Sequence, residues 1–307
     1  MKQLGVVIPI VTPCTSQGYV DTEGLKVVCE DMLNAGCHGF FVLGSTGRGP
    51  WFSRNDRIKV CKTVANKIGS KIPLMAGCMT VGLDEMIENA KTMADSGATM
   101  AVATAPMYFK YNAVELESIF LKFADASPLP VIIYDIPDLT GVGLQPQLLM
   151  TLAAHENVVG FKDSSASYDN FKELLETLGK EVPDFYLLQG KEHLLKDSLV
   201  AGASGLVVSL LHVNPKLFVA LYNAVQQGDT EKAERIQQAI TKVMECVKEC
   251  FAERPETSTL FHFLNVVLSE RGITVNLLLD HEGQCPEWVA AKAKKAVEIG
   301  RHAMERE

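Results

Sequence analysis

An α/β chain wound into a (β/α)8 barrel with a C-terminal helical extension is the fold this sequence predicts, and three observations lead to it. Eight short apolar runs bounded by turn residues recur between residues 5 and 209. Stretches of helical periodicity separate them, and successive runs begin about 20–35 residues apart, the length of a βα unit. The runs are apolar nearly throughout rather than alternating, which marks strands covered on both faces, as in a parallel sheet wrapped by helices.

The strands expected in order are GVVIPIV (5–11), GFFVLG (39–44), IPLMAG (72–77), ATMAVAT (98–104), LPVIIYD (129–135), VVGFK (158–162), FYLLQ (185–189) and GLVVS (205–209). Residues 57–64 and 115–124 show the intervening helical period. Beyond Asn214 the pattern is helical only, over 214–227, 229–251, 257–271 and 286–303, with a loop at LLLDHEGQCPE. The division expected is a barrel over 1–228 and an extension over 229–307, with no Pro/Gly/Ser-rich linker between them. A doubly wound open sheet would need a G-x-G-x-x-G turn after its first strand. The one Gly-rich turn, GSTGRG at 44–49, follows the second strand with different spacing and lacks the Gly-Lys-Ser/Thr of a phosphate loop.

Bulk properties exclude several classes. The chain has 307 residues, 47% of them hydrophobic, enough for a large core. Lys plus Arg number 29 against 37 Asp plus Glu, a net charge of −8. No basic block is interleaved with aromatics, so nucleic acid is not an expected partner. No apolar run approaches the ~20 residues of a membrane span. The start, MKQLGVVIPIVTP, reads as a first strand rather than a signal peptide, so the cytoplasm is expected. The eight cysteines show no CxxC and no zinc spacing, although Cys246 and Cys250 stand four apart; reduced thiols are expected, and no metal. His38, His155, His212, His262, His281 and His302 are dispersed and read as structural.

Chemistry in a barrel gathers at the carboxyl ends of the strands. Those positions here are Gly44-Ser45-Thr46-Gly47, Thr104 to Tyr108, Tyr134-Asp135-Ile136-Pro137, Lys162, Gln189 to Glu192, and Ser209. Lys162 closes an apolar strand, where an ammonium is expensive to bury. A strand-end lysine commonly snorkels to water, but this one neighbours Tyr134 on the adjacent strand. Desolvation favours the neutral amine, which can attack a carbonyl and form a Schiff base; a phenol nearby can shuttle protons. Small hydroxyl residues in a Gly-flanked turn at a helix start can hold a carboxylate.

These residues carry a resemblance. IPIVTP (8–13), GSTG (44–47), IPLMAG (72–77), APMY (105–108), YDIPDLTG (134–141), VGFKDS (159–164) and GASG (202–205) resemble, in order and spacing, the dihydrodipicolinate synthase / N-acetylneuraminate lyase family of pyruvate-type class I aldolases. The resemblance implies Lys162 as Schiff-base lysine and Tyr134 as proton carrier. It implies Ser45 and Thr46 as the pyruvyl carboxylate site, Ser45 also relaying protons, and Tyr108 reaching the relay across a dimer interface. Gly190, Glu192 and Ser209 match sugar-acid contacts, and a homotetramer built from dimers is the implied assembly. No cofactor is implied, since the imine is the electron sink; the partners are pyruvate and an aldehyde.

The departures sharpen the substrate. Arg48 replaces the usual Glu after the turn and has two readings: it pairs with a surface carboxylate, or its guanidinium helps hold a distal carboxylate or phosphate of the substrate. Leu139 stands where synthases carry an arginine, and the acidic pair of sialic acid lyases is Glu192-His193 here. The pattern most resembles 2-keto-3-deoxy-sugar-acid aldolases, with N-acetylneuraminate lyase and then dihydrodipicolinate synthase as alternatives. A non-catalytic pyruvate-binding barrel is the alternative of a different class. A metal-dependent aldolase would need His or carboxylate ligands at the strand ends, and almost none stand there.

Overall fold

The structure, a computed structural model, describes residues 1–165 and 167–305. Eight parallel strands close on themselves in sequence order. They are β1 (Gly5–Pro9), β2 (Gly39–Val42), β3 (Leu74–Gly77), β4 (Met100–Ala103), β5 (Val131–Asp135), β6 (Val158–Asp163), β7 (Tyr186–Gln189) and β8 (Gly205–Leu206). β1 pairs with both β2 and β8, which completes the ring.

The expected strands are present, seven of them shorter and β6 one residue longer, because a barrel strand ends where its backbone turns out to the covering helix. β8 departs most: only two residues pair, and the chain then enters a 3-10 turn at Ser209–His212. The 3-10 turn draws Ser209 out of the sheet, so GLVVS is not one strand.

The barrel helices are α1 (Thr22–Asn34), α2 (Arg54–Ile68), α3 (Leu83–Ala94), α4 (Ala113–Ala126), the single turn α5 (Pro137–Thr140), α6 (Pro146–Ala153), α7 (Tyr168–Glu181), α8 (Leu195–Val200) and α9 (Pro215–Gln226). Side-chain caps set several starts: Asp21, Ser53, Asn112 and Ser167 each accept a backbone N–H of the first turn. Asn112 and Glu115 form a reciprocal capping box. The extension comprises α10 (Thr230–Glu253), α11 (Thr257–Glu270) and α12 (Glu287–Glu305).

Strand alternation sorts the core into two parts. Val7, Phe41, Met75, Val102, Ile132, Tyr134 and Leu188 fill the barrel interior. A larger cluster joins the outward strand faces to the helices and runs on through Phe263, Leu264, Val289 and Val297 of the extension. The extension therefore packs on the barrel's own core. No helix of the described residues is long and apolar enough to cross a membrane.

Candidate active site

Lys162 and Tyr134 are register partners on β6 and β5, so both side chains point inward at the same height. Each is buried, at 3% and 2% exposure. Gly160, one inward position below Lys162, leaves room that a Cβ would lose: it would meet Tyr186 and Ile132 side chains at 2.8 and 2.6 Å. The Lys162 Nζ lies 3.9 Å from the Tyr134 ring centroid and 5.3 Å from that of Phe41. Phe41 meets Tyr134 edge-on. Among the described residues no carboxylate stands within ion-pair distance of this amine. Aromatic faces stabilise a cation weakly and leave the nitrogen lone pair accessible after deprotonation.

Gly190 is built to this lysine. A Cβ there would lie 2.2 Å from Ser164 Oγ, 2.5 Å from the Asp163 carbonyl oxygen and 3.2 Å from Lys162 Cε. Its N–H donates to the Asp163 carbonyl at 2.7 Å, fixing the β7 end against β6. The residue read as a sugar contact thus also sets the space around the amine.

The turn after β2 is strained and closed by its own backbone. Arg48 N–H donates to Ser45 O and Gly49 N–H to Gly44 O, while Thr12 Oγ donates to Gly47 O at 2.8 Å. The segment following it is a 3-10 turn, Gly49–Trp51, and α2 begins only at Arg54. The carboxylate site expected at a helix start is therefore a turn, with the Ser45 and Thr46 hydroxyls as its free donors: neither bonds another described residue. Among the described residues, three non-glycines have positive φ: Leu43 (58°), Arg48 (54°) and Tyr108 (86°). All three follow strand ends on this face of the barrel. Such conformations cost roughly 1–3 kcal/mol each and cluster where function imposes them.

The mouth divides at Tyr134 into two lobes. One, about 340 Å3, is lined by Ser45, Thr46, Lys162, Ser164, Gly190, Glu192 and Ser209. The other, about 330 Å3, is walled mainly by Trp51, Met79, Met107, Ile136, Leu139 and Phe261. Burial raises the Glu192 carboxyl above the usual range, against the pull of Lys191 and Lys162. His193 is exposed and turned away.

Arg48 and Tyr108 stand apart from the polar lobe, and of the two readings of Arg48 the structure shows the carboxylate pair, enclosed rather than on the surface. Arg48 lines the apolar lobe, but its guanidinium is bidentate to the Glu282 carboxylate at 2.8 and 2.9 Å and donates to Leu277 O. It also stacks 3.5 Å from the Phe261 ring centroid, with both charged side chains under a tenth exposed. Tyr108 lies outside both lobes of its own chain, 87% exposed and edge-on to Phe109. Sequence reasoning missed the extension entirely as a site component: Phe251, Thr257, Leu260 and Phe261 line the mouth. Nothing in their helical periodicity distinguishes them from core residues. It also missed Ser164, which the KDSS stretch could have flagged, since it directly follows the strand carrying Lys162.

With this geometry in view, the comparisons are decisive. The sequence profile of the dihydrodipicolinate synthetase family matches residues 2–278. The chain belongs to that family. The 4-hydroxy-tetrahydrodipicolinate synthase of Methanoculleus marisnigri is 28% identical over 242 residues, covering 78% of this chain and 82% of that one. YagE of Escherichia coli K12, provisionally named a 2-dehydro-3-deoxy-D-gluconate aldolase, is 29% identical over 240 residues, covering 78% and 80%. The crystal structure of YagE in complex with pyruvate matches with a TM-score of 0.89 at 25% identity, covering 97% and 98% of the two chains. Relatives of this family are lyases and aldolases, and the family level is where these similarities are firm.

Proposed function

We infer that the chain is a class I aldolase that holds pyruvate-type keto acids as a Schiff base on Lys162. The observation carrying this reading is a buried amine with aromatic neighbours and no counterion among the described residues, at the carboxyl end of a barrel strand. Lys162 Nζ attacks the ketone carbon of a 2-keto acid, and water leaves as the imine forms. The carbon–carbon bond beyond C3 then breaks with its electrons flowing into the imine. Tyr134 accepts the proton of the C4 hydroxyl as the aldehyde departs, and returns one to C3 of the enamine. Hydrolysis releases pyruvate. Ser45 and Thr46 hold the carboxylate throughout.

The substrate proposed is a 2-keto-3-deoxy sugar acid, its hydroxyls meeting Gly190, Glu192 and Ser209 in the polar lobe. Leu139, where synthases of the resembling type carry arginine, lines both lobes and offers no cation to a second carboxylate. A second reading rests on the apolar lobe, which favours an aldehyde with an apolar arm. The working unit is proposed as a cytoplasmic homotetramer of dimers whose pairing covers Tyr108 and Phe109. The division proposed is a catalytic barrel over 1–228 and a C-terminal helical extension over 229–307, of which Phe251, Thr257, Leu260 and Phe261 line the mouth.

The test is borohydride reduction with pyruvate, then intact mass and peptide mapping. A reduced pyruvyl adduct on Lys162, absent in Lys162→Ala and unaffected by chelator, is expected. No adduct at saturating pyruvate sinks the mechanism and leaves a binding barrel. An aldehyde panel spanning polyols and aromatic aldehydes then separates the two substrate readings.

A further inference from the structure

One residue beyond Tyr134 and Lys162 stands a second matched pair, Asp135 and Asp163. They too are register partners, and strand alternation turns both outward, toward α6 and α7. Paired strands lie about 4.8 Å apart, so the two carboxyls share one face at close range. Both are almost fully buried, at 3% and 2% exposure.

Their hydrogen bonds are incomplete in a complementary way. Asp163 Oδ1 accepts from Ser165 N–H at 2.7 Å, while its Oδ2 has no partner. The backbone of Leu144 pulls the Asp135 carboxyl down against its burial, while Asp135 Oδ1 has no partner among the described residues. Both orphan oxygens belong to residues lining one small cavity of about 70 Å3, walled by Gln145, Leu149, Phe161, Asn170, Phe171 and Leu174. Two ionised carboxylates lining one such cavity repel each other, and a proton kept there relieves that repulsion.

We propose that Asp135 and Asp163 work as one unit, a carboxyl–carboxylate pair bridged by a single proton, that locks β5 to β6 and positions Tyr134 against Lys162. Both are positioning residues, acting through the neighbours on their own strands. Burial pushes Asp135 up to about 7, with Asp163 and Asp138 adding to the rise, so the proton is held to neutrality. Burial also raises Asp163, against Lys191 and Lys162. Of the charged groups, Asp138 of α5, Lys191 at the end of β7 and, from the inner face of β6, Lys162 act on the pair; Gln145 at the start of α6 and Asn170 of α7 line the same cavity and are neutral. Lys191 is itself paired with Asp138 at 3.2 Å.

The position in pH follows from the sign. A carboxyl that keeps its proton in the folded state up to about 7, but loses it near 4 when unfolded, makes folding less favourable as pH rises through that window. Loss of the proton also sets two like charges behind the reacting pair. The proposal rests on the Schiff-base reading only for its kinetic part.

The experiment measures Tm and kcat against pH for the wild type, Asp135→Asn, Asp163→Asn and Asp135→Ala, with the infrared band of a protonated carboxyl in the unliganded protein. Each single Asn variant supplies a permanent N–H to the remaining carboxylate. Expected are a flattened decline of Tm from pH 5 to 8 in Asp135→Asn, loss of the band in both Asn variants, and an alkaline fall of kcat confined to the wild type. Asp135→Ala should lose roughly tenfold in kcat, with KM little changed and Asn restoring it. An absent band, or Asn profiles that follow the wild type, overturns the pair. Sodium or potassium raising Tm of the wild type but not of Asp135→Asn overturns the proton in favour of a cation. Should Lys162 fail to trap pyruvate, the band and the Tm profiles still decide the pair alone; should Asp135→Asn not fold, Asp163→Asn and the wild-type band decide it.

Discussion

Arg48 and Lys162, both lining the barrel mouth, are treated in opposite ways. Arg48 is gripped by the Glu282 carboxylate, by Leu277 O and by the Phe261 ring. Lys162 has two aromatic faces and no ion-pair partner among the described residues. A charge enclosed with its counter-charge and a ring face holds parts together, and removing either partner strands the other. The proposed Schiff-base role of Lys162 rests on a buried amine held without such partners. The difference teaches that burial alone does not separate a structural cation from a candidate nucleophile; the partners around it do.

The largest break in the comparison is Lys162→Ala. Turnover should fall by on the order of 10^4, with adduct formation abolished. Tm should stay level or rise, because an unpaired buried charge contributes no stability. A loss of Tm matching that of Arg48 variants would show Lys162 to be structural. Arg48→Met comes next, expected to cost about 3 kcal/mol in urea denaturation, most of it recovered by adding Glu282→Gln. Failure of that recovery would deny the pairing its role. Gly190→Ala sharpens the contrast from the other side: it pushes on the Lys162 stem and Ser164 while leaving Arg48 alone. A drop of about 100-fold in kcat is expected, together with a lower urea midpoint, because the Asp163 carbonyl oxygen 2.5 Å from the new Cβ must also shift.

The smallest effect separates a third buried base. His212 bonds on both ring nitrogens, to Ser209 O and Val11 N–H, and burial holds it down at about 4. Its folded value lies below the unfolded one near 6.5, so the unfolded chain binds the extra proton as pH falls from 6.5 toward 4, and stability declines across that window. His212→Gln should shallow that decline in a Tm series. An unchanged slope would assign the acid limb to carboxylates.

The strand order, the helical tail and the Lys162–Tyr134 pair were legible because each rests on local pattern: apolar runs, βα spacing, neighbouring strand ends. What escaped shares a different cause. Glu282 and Arg48 are 234 residues apart, and no local period links them. The sequence displayed a cation after the turn and a candidate for substrate binding; its counterion arrived by tertiary packing. The extension residues Thr257 and Phe261 sit on an amphipathic helix that reads as core, and only the fold shows that face meeting the mouth. Asp135 and Asp163 were visible as letters, but their shared orphan oxygens depend on what α6 and α7 leave unfilled. The shortness of β8 follows from Ser209 turning out of the sheet, where an apolar run gives no warning.

The Arg48–Glu282 grip has a bearing on how the molecule is born. On the ribosome, the turn bearing Ser45 and Thr46 emerges early, with a strained Arg48 whose counter-charge has not yet been translated. Trp51 likewise awaits His281, on which its ring stacks. Eight strands can be complete while the mouth still lacks its rim, so competence arrives with the last tenth of the chain. An unfinished barrel of this kind would be a structure without a working pocket, and the cell would meet the catalyst only as a finished product.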